Sequence, residues 1–300
     1  MNIYALELDN DIKGIEQRKD YIESLIKKLE KPDLVVLPEL AMPSYMGNDS
    51  IWQFADPNST DTADWAMSMA RKYGSYLAVG YVEYSNGDYY NSYLIADKNQ
   101  VFGIVRKSES ESFVFKRGYF PNIIATPFGN VAVAICYDAH RRHVYETIKD
   151  QPISLILFPH GSPSDPGKVG LKVHNTDDFC NRYLQAFDVP VVYVNSRGKL
   201  DSIMGTIGKM MAKTNYALNG LSAIYARTGS RIDTGFSEGI GWAGDLVSKT
   251  RQQDIIFYGD DITKGNRLFR KLILEPDIRK GIRYYEANKR RPRNGSVLER

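Results

Sequence analysis

Apolar residues recur along this chain at two spacings, and the spacing predicts the elements. Residues 2–8 alternate polar and apolar side chains, the period of a half-buried strand. Residues 11–30 place Ile12, Ile15, Tyr21, Ile22, Leu25, Ile26 and Leu29 at helical spacing. That helix is predicted to stop near Lys31, because Pro32 disfavours helical geometry in the residue before it. The apolar run 33–38 predicts a second strand, and 63–73 a second amphipathic helix with Gly74 as its stop. Strands over 76–84 and 89–97 flank Asn86-Gly87-Asp88, a hairpin signal, and Asp97-Lys98-Asn99 turns the chain into a strand that ends at Lys107. Further on, strands are predicted at 131–136, 153–158 and 190–195, alternating with helices at about 139–149 and 174–187. Residues 220–227 and 230–234 read as a hairpin around Thr228-Gly229, with another strand near 254–258. Helices alternating with strands, and hairpins later, predict an α/β sandwich with mixed sheets. No linker or low-complexity stretch interrupts the pattern, so residues 1–285 are expected to form a single domain, with 286–300 as a C-terminal tail. Residues 162–172, rich in Pro, Gly, Ser and Lys, are expected to form a mobile loop near the site.

Three of the predicted strands hand off an ionisable side chain. The run Asp33–Pro38 delivers Glu39, Val101–Arg106 delivers Lys107, and Val131–Ile135 delivers Cys136, followed by Tyr137-Asp138. The carboxyl ends of strands are where open α/β sheets place ligands and reacting groups. The only other cysteine is Cys180, so a disulfide framework is not the explanation. Cys180 lies on a predicted helix without such partners and reads as core. Sulfur attacks a carbonyl carbon as thiolate. Glu39 is then the candidate general base, and the Lys107 ammonium favours thiolate and holds negative charge on the carbonyl oxygen. The backbone N–H of Tyr137 is the candidate second oxyanion donor. Water activated by Glu39 would cleave the resulting thioester. The plain alternatives are a buried core cysteine, a salt-bridged Glu39 and a solvated Lys107.

Composition removes several other classes. The 300 residues are 43% hydrophobic, enough for a substantial core, and 39 basic against 36 acidic groups leave a net charge of +3. That balance gives no electrostatic case for nucleic acid, and the basic segment Lys289–Arg293 is read as a solvated or subunit-contacting terminus. No apolar run approaches the ~18 residues that would indicate a membrane span, and the first residues lack a basic segment followed by an apolar stretch, so no signal peptide is expected. A functional free thiol fits a reducing interior, and a cytoplasmic location is expected. No glycine-rich phosphate loop follows a strand. His140 and His143 are three residues apart but lack a carboxylate-bearing zinc signature, and the chemistry above requires neither metal nor cofactor.

The order Leu37-Pro38-Glu39-Leu40, Arg106-Lys107 and Ile135-Cys136-Tyr137-Asp138 resembles the nitrilase superfamily, the carbon–nitrogen hydrolases. Asn91–Ile95, Thr126–Gly129, Val191–Asn195 and Gly220–Tyr225 are similar to further stretches of that pattern, and the likeness extends to Arg290-Arg291-Pro292. The resemblance implies a four-layer αββα sandwich with two mixed β-sheets, assembled as a homodimer or higher homo-oligomer. It also implies a Glu-Lys-Cys triad of Glu39, Lys107 and Cys136. Members often carry a second glutamate, four residues before a phenylalanine and seven before a glycine; Glu111, Phe115 and Gly118 fit this and Glu109 does not. The expected role of Glu111 is to orient Lys107 and the leaving group. The family's pocket often draws on the position of His160, which makes His160 a substrate-binding candidate together with Ser162 and Tyr45. One stretch departs: the usual Ile/Leu-Arg-Phe-Pro-Glu after Cys-Tyr-Asp is replaced by Ala139-His140-Arg141-Arg142-His143, with Glu146 one turn on as a replacement carboxylate. Cys-Tyr-Asp resembles the amidase and carbamoylase branches, implying hydrolysis of a small amide or N-carbamoyl compound. The alternatives are a nitrilase or an amide-forming acyltransferase with the same triad, or a catalytically silent ligand-binding or scaffold protein.

Overall fold

The computed structural model describes residues 1–119, 121–265 and 267–289. Side chains alternate faces along each strand, and the apolar ones sort accordingly into separate cores. Ile3, Ala5, Leu34, Val36 and Ala78 on one sheet pack with Val131, Val133, Leu155, Leu157, Val192 and Val194 on another. The residues between them point the opposite way. Leu6, Val35, Leu37 and Leu77 cover Ile22, Leu25, Trp65 and Met69 of the helices Ile15–Ile26 and Thr60–Tyr73. Ala132, Ile156, Phe158, Val191 and Tyr193 cover Val144, Tyr145, Phe179, Tyr183 and Phe187 of the helices Arg142–Ile148 and Val169–Phe187. Each fully buried Val, Leu or Ile contributes roughly 1.5–3 kcal/mol relative to an exposed one, so this division by face fixes the register of every central strand.

The first sheet runs in the order Ser230–Ile232, Gly239–Ala243, Asn2–Leu6, Leu34–Val36, Tyr76–Ser85, Asp88–Ala96, Val101–Arg106. Its central three strands, from Asn2–Leu6 to Tyr76–Ser85, are parallel, and the flanking pairs are antiparallel. The second sheet runs Ala223–Tyr225, Val191–Asn195, Leu155–His160, Gly129–Val133, Ile123–Thr126, again with three parallel strands at its centre. Both sheets are therefore mixed, as expected. A small third sheet joins Pro163–Ser164, Ala217–Asn219 and Arg197–Lys199. The turn at Asn86-Gly87 has positive φ at both residues (52° and 82°), the geometry that a two-residue hairpin loop requires.

Three sequence expectations change. Residues 220–234 are not a hairpin: Ala223–Tyr225 pairs with Val191–Tyr193 in the second sheet, while Ser230–Ile232 pairs with Gly241–Ala243 in the first. The turn at Thr228-Gly229 thus carries the chain from one sheet to the other. No strand forms over 254–258; Tyr258 makes only an isolated bridge to Asp261. Residues 162–172 are not a loop throughout, since they hold the strand Pro163–Ser164, a short 3-10 turn at Pro166–Lys168 and the start of the helix Val169–Phe187. The helix Glu275–Asn288 runs through position 285, and Lys289 donates to Asp88 at 2.6 Å. The expected tail beyond that, residues 290–300, lies outside the described residues. Among the described residues no helix is long and apolar enough to cross a membrane.

Candidate active site

Glu39 follows the strand Leu34–Val36 and is completely buried. The chain bends there through Leu40, whose φ is +48°, and lies against Gly80 so closely that a Cβ on Gly80 would stand 2.6 Å from the Pro38 carbonyl and 2.7 Å from the Leu40 nitrogen. One carboxylate oxygen of Glu39 accepts from Asn91 Nδ2 at 2.7 Å and from Lys107 Nζ at 2.6 Å. The other accepts from the Gly161 N–H at 2.6 Å. Lys107, which follows Val101–Arg106, also donates to Glu111 Oε1 at 2.7 Å, and that oxygen accepts from the Tyr45 hydroxyl at 3.1 Å. Four of the candidates read from the sequence, Glu39, Lys107, Glu111 and Tyr45, therefore form one bonded chain.

Cys136 follows the strand Gly129–Val133 and opens a 3-10 turn, Cys136–His140. Its φ is +51°, a conformation that costs energy in a residue with a Cβ and that clusters at functional sites. The thiol lies at the strand-to-turn corner, within electrostatic reach of Glu39, Lys107 and Glu111. The Tyr137 N–H belongs to the first turn, where intrahelical acceptors are absent by position. Asp138 ties this corner to the lysine loop: its carboxylate accepts from Ser108 N at 3.0 Å, Ser108 Oγ at 2.9 Å and Glu109 N at 2.8 Å. Burial raises the Asp138 pKa to about 6 despite those donors.

Burial raises the carboxyl pKa of Glu39, with the negative charge of Glu111 adding to it and Lys107 opposing. At Glu111 burial acts in the same direction but is outweighed by the charge and hydrogen bond of Lys107, so its pKa is lowered. Burial alone would depress the Lys107 pKa; the carboxylates of Glu111 and Glu39 overcome this and hold the ammonium firmly charged. The outcome at Cys136 differs from the sequence expectation. Burial and then the Glu39 charge push the thiol pKa up, and Lys107 only moderates the rise, because its charge is shared between two carboxylates.

The remaining candidates fall elsewhere in the site. His160 is 2% exposed, with its ring among Phe158, Phe179 and Tyr193 and its Nδ1 3.0 Å from the Phe158 carbonyl. Ser162 donates its N–H to Asn195 Oδ1 at 2.9 Å, and its hydroxyl accepts from Lys172 at 2.5 Å. Glu109 turns away from Lys107 and pairs with Arg141 at 3.0 Å and Arg117 at 3.4 Å. Glu146 does not replace a site carboxylate; it is exposed and pairs with Lys149 at 2.5 Å. Cys180 is fully buried in the core outside the second sheet. The sequence reading gave no role to Asn91, Gly161 or Lys172. Asn91 had a signal, since it opens a stretch already matched to the resemblance, and Gly161 had one in its place between His160 and Ser162. A cavity of about 490 Å³ lined by Tyr45, Glu111, Tyr137, Ile203, Met204 and Leu274 borders this group of residues.

Comparison with known proteins bears on the family and the fold. The family model described as carbon–nitrogen hydrolase matches residues 4–243. Among solved structures, a carbon–nitrogen hydrolase from Helicobacter pylori G27 has 18% identity and a TM-score of 0.64, covering 81% of this chain and 88% of that one. Nit3 of Saccharomyces cerevisiae, a member of branch 10 of the nitrilase superfamily, has 16% identity and a TM-score of 0.59 over 82% of this chain and 86% of its own. An amidase from Nesterenkonia sp. has 15% identity and a TM-score of 0.57 over 75% of this chain and 82% of its own. At such identities the likeness shows the fold. No curated protein matches the sequence.

Proposed function

We propose that this chain, which belongs to the carbon–nitrogen hydrolase family, cleaves a small amide or N-carbamoyl compound through a thioester on Cys136. The observation that carries this reading is the buried chain Glu39–Lys107–Glu111, bonded at 2.6 and 2.7 Å beside a thiol in a strained turn. As the Cys136 sulfur bonds to the carbonyl carbon, its proton passes to Glu39 and the carbonyl π electrons move to oxygen. The Lys107 ammonium and the Tyr137 N–H donate to that oxygen. When the oxyanion collapses, the C–N bond breaks and the leaving nitrogen takes the proton from Glu39. Water then gives a proton to Glu39 while its oxygen attacks the thioester. The C–S bond breaks and the proton returns to sulfur, so the net reaction is addition of water across the C–N bond. Glu111 serves as a standing counter-charge: while Glu39 is protonated, it keeps Lys107 paired and in place. Asn91 and the Gly161 N–H fix the orientation of the Glu39 carboxylate.

The test is intact-mass detection of an acyl adduct after exposure to a library of small amides, with ammonia release measured in parallel. An adduct mapping to Cys136 and turnover that stops in a folded Cys136→Ala protein are the expected results. Full amide hydrolysis by Cys136→Ala would remove the nucleophile assignment.

A further inference from the structure

The helix Val169–Phe187 brings to the site a cation that this reaction does not use. Lys172 stands in its first turn, and its Nζ donates to Ser162 Oγ at 2.5 Å. Among the described residues no carboxylate lies within ion-pair distance of it. Ser162 follows Gly161, whose N–H holds Glu39, and the charge of Lys172 acts on the Cys136 thiol. The first turn of this helix has no acidic residue and no side-chain cap, so its positive dipole end adds to the ammonium. Burial lowers the Lys172 pKa, as it does for a cation short of a counter-ion.

A second, independent observation points the same way. His160 is buried, and because the Phe158 carbonyl can only accept, Nδ1 is the donor in that bond and Nε2 is left as an acceptor. Nε2 is buried and has no partner among the described residues. Burial holds the ring pKa well below its ordinary value, with Lys172 adding, so the ring is neutral. Lys172 and His160 line one cavity of about 550 Å³, bordered by Tyr137, the residue after the nucleophile. A half-buried cation without a counter-ion and an unfilled buried acceptor are both costly, and one ligand with an anion and a donor satisfies both.

We propose that Lys172 and His160 form an acid-recognition subsite, so that the substrate carries a carboxylate besides its scissile amide, with a neighbouring N–H or O–H that donates to His160 Nε2. The proposal rests on the Cys136 chemistry above. The Lys172 ammonium suits a carboxylate; of the other cations lining the same cavity, Arg182 is already paired with Asp178 at 2.7 Å, and Lys264 adds to the positive charge.

Glutaramate and pentanamide, which differ in a terminal carboxylate against a methyl group, are the probes, and binding to Cys136→Ala is read by calorimetry. Glutaramate is expected to bind at least about tenfold more tightly. Adding Lys172→Met is expected to erase that difference by weakening glutaramate, and adding Lys172→Arg to retain it. His160→Phe is expected to weaken 2-hydroxyglutaramate more than glutaramate. Equal binding of glutaramate and pentanamide, no measurable binding of glutaramate, or a preference that survives Lys172→Met in protein with unchanged circular dichroism overturns the subsite. Turnover by the unsubstituted protein is scored separately. Tight glutaramate binding without any thioester counts against the hydrolysis reading and leaves the subsite standing; hydrolysis of pentanamide with no acid preference does the reverse.

Discussion

Burial, and then the charge of Glu39, hold the Cys136 thiol above its ordinary pKa, and Lys107 offsets only part of the rise. Glu39 and Glu111 bracket Lys107, and the pair of carboxylates leaves little positive potential to stabilise sulfur as an anion. Glu39 is thus both the proposed proton acceptor and one cause of the raised thiol pKa. The two roles respond oppositely to Glu39→Gln. Removing the charge lowers the thiol pKa, so alkylation of Cys136 by iodoacetamide at pH 8 should speed up, while amide turnover should fall by about 10²–10⁴-fold for loss of the general base. Site-resolved mass spectrometry and an ammonia assay check the two arms. A parallel fall in both would mean that Glu39 supports the thiol structurally and does not act as its base. Glu39, Lys107 and Cys136 stood out in the sequence as candidates because each ends a dense apolar run. Lys172 did not, because a lysine in the first turn of a largely exposed helix end looks like any solvated lysine until the fold sets it against Ser162.

At the scale of elements, the backbone at the ends of the strands does the positioning. Leu40, next to Glu39, and Cys136 itself both take positive φ, and Gly80 permits the first of these bends by bringing its strand against Pro38, Glu39 and Leu40. A Cβ at Gly80 must push that segment away, since the atoms it meets are backbone. Gly80→Ala should cost about 1–3 kcal/mol of stability, the usual range for overpacking. It should also lower kcat more than it raises KM, as the Glu39 carboxylate moves off its bonds to Lys107 and Gly161. Urea titration and steady-state kinetics on one amide measure both; an unchanged kcat would show that the bend is not what sets the carboxylate. The same contrast explains what the sequence revealed about the elements. Long strands such as Tyr76–Ser85 and Asp88–Ala96 were visible because two apolar-rich runs flank an Asn-Gly turn. The supposed hairpin at 220–234 failed because two short strands around a Gly turn look identical whether they pair with each other or with separate sheets. Gly239–Ala243 was missed because glycines break its pattern, although its register against Asn2–Leu6 is continuous.

For the whole molecule, the site exists only while both sheets are docked. Glu39 and Lys107 come from the first sheet, and Cys136 and Gly161 from the second, all from the carboxyl ends of their strands. The shared core holding those ends together is aliphatic, with Val133, Leu155, Leu157 and Val194 facing Ala5, Val36 and Ala78. The chain carries natural reporters on the two sides. Its three tryptophans accompany the first sheet: Trp242 in one of its strands, Trp65 on a helix packed against it, and Trp52 beside Val82 of Tyr76–Ser85. Cys180 is sealed on the inner face of the helix that covers the second sheet. If the sheets form one cooperative unit, tryptophan fluorescence and pulse-labelling of Cys180 should give the same midpoint in urea. Leu157→Ala, which opens a cavity in the shared core, should shift both midpoints together by an amount equivalent to about 2–5 kcal/mol. Separated midpoints, or a Leu157→Ala shift confined to the Cys180 probe, would mean that the second sheet opens without the first. Glu39 and Cys136 would then part before the protein unfolds.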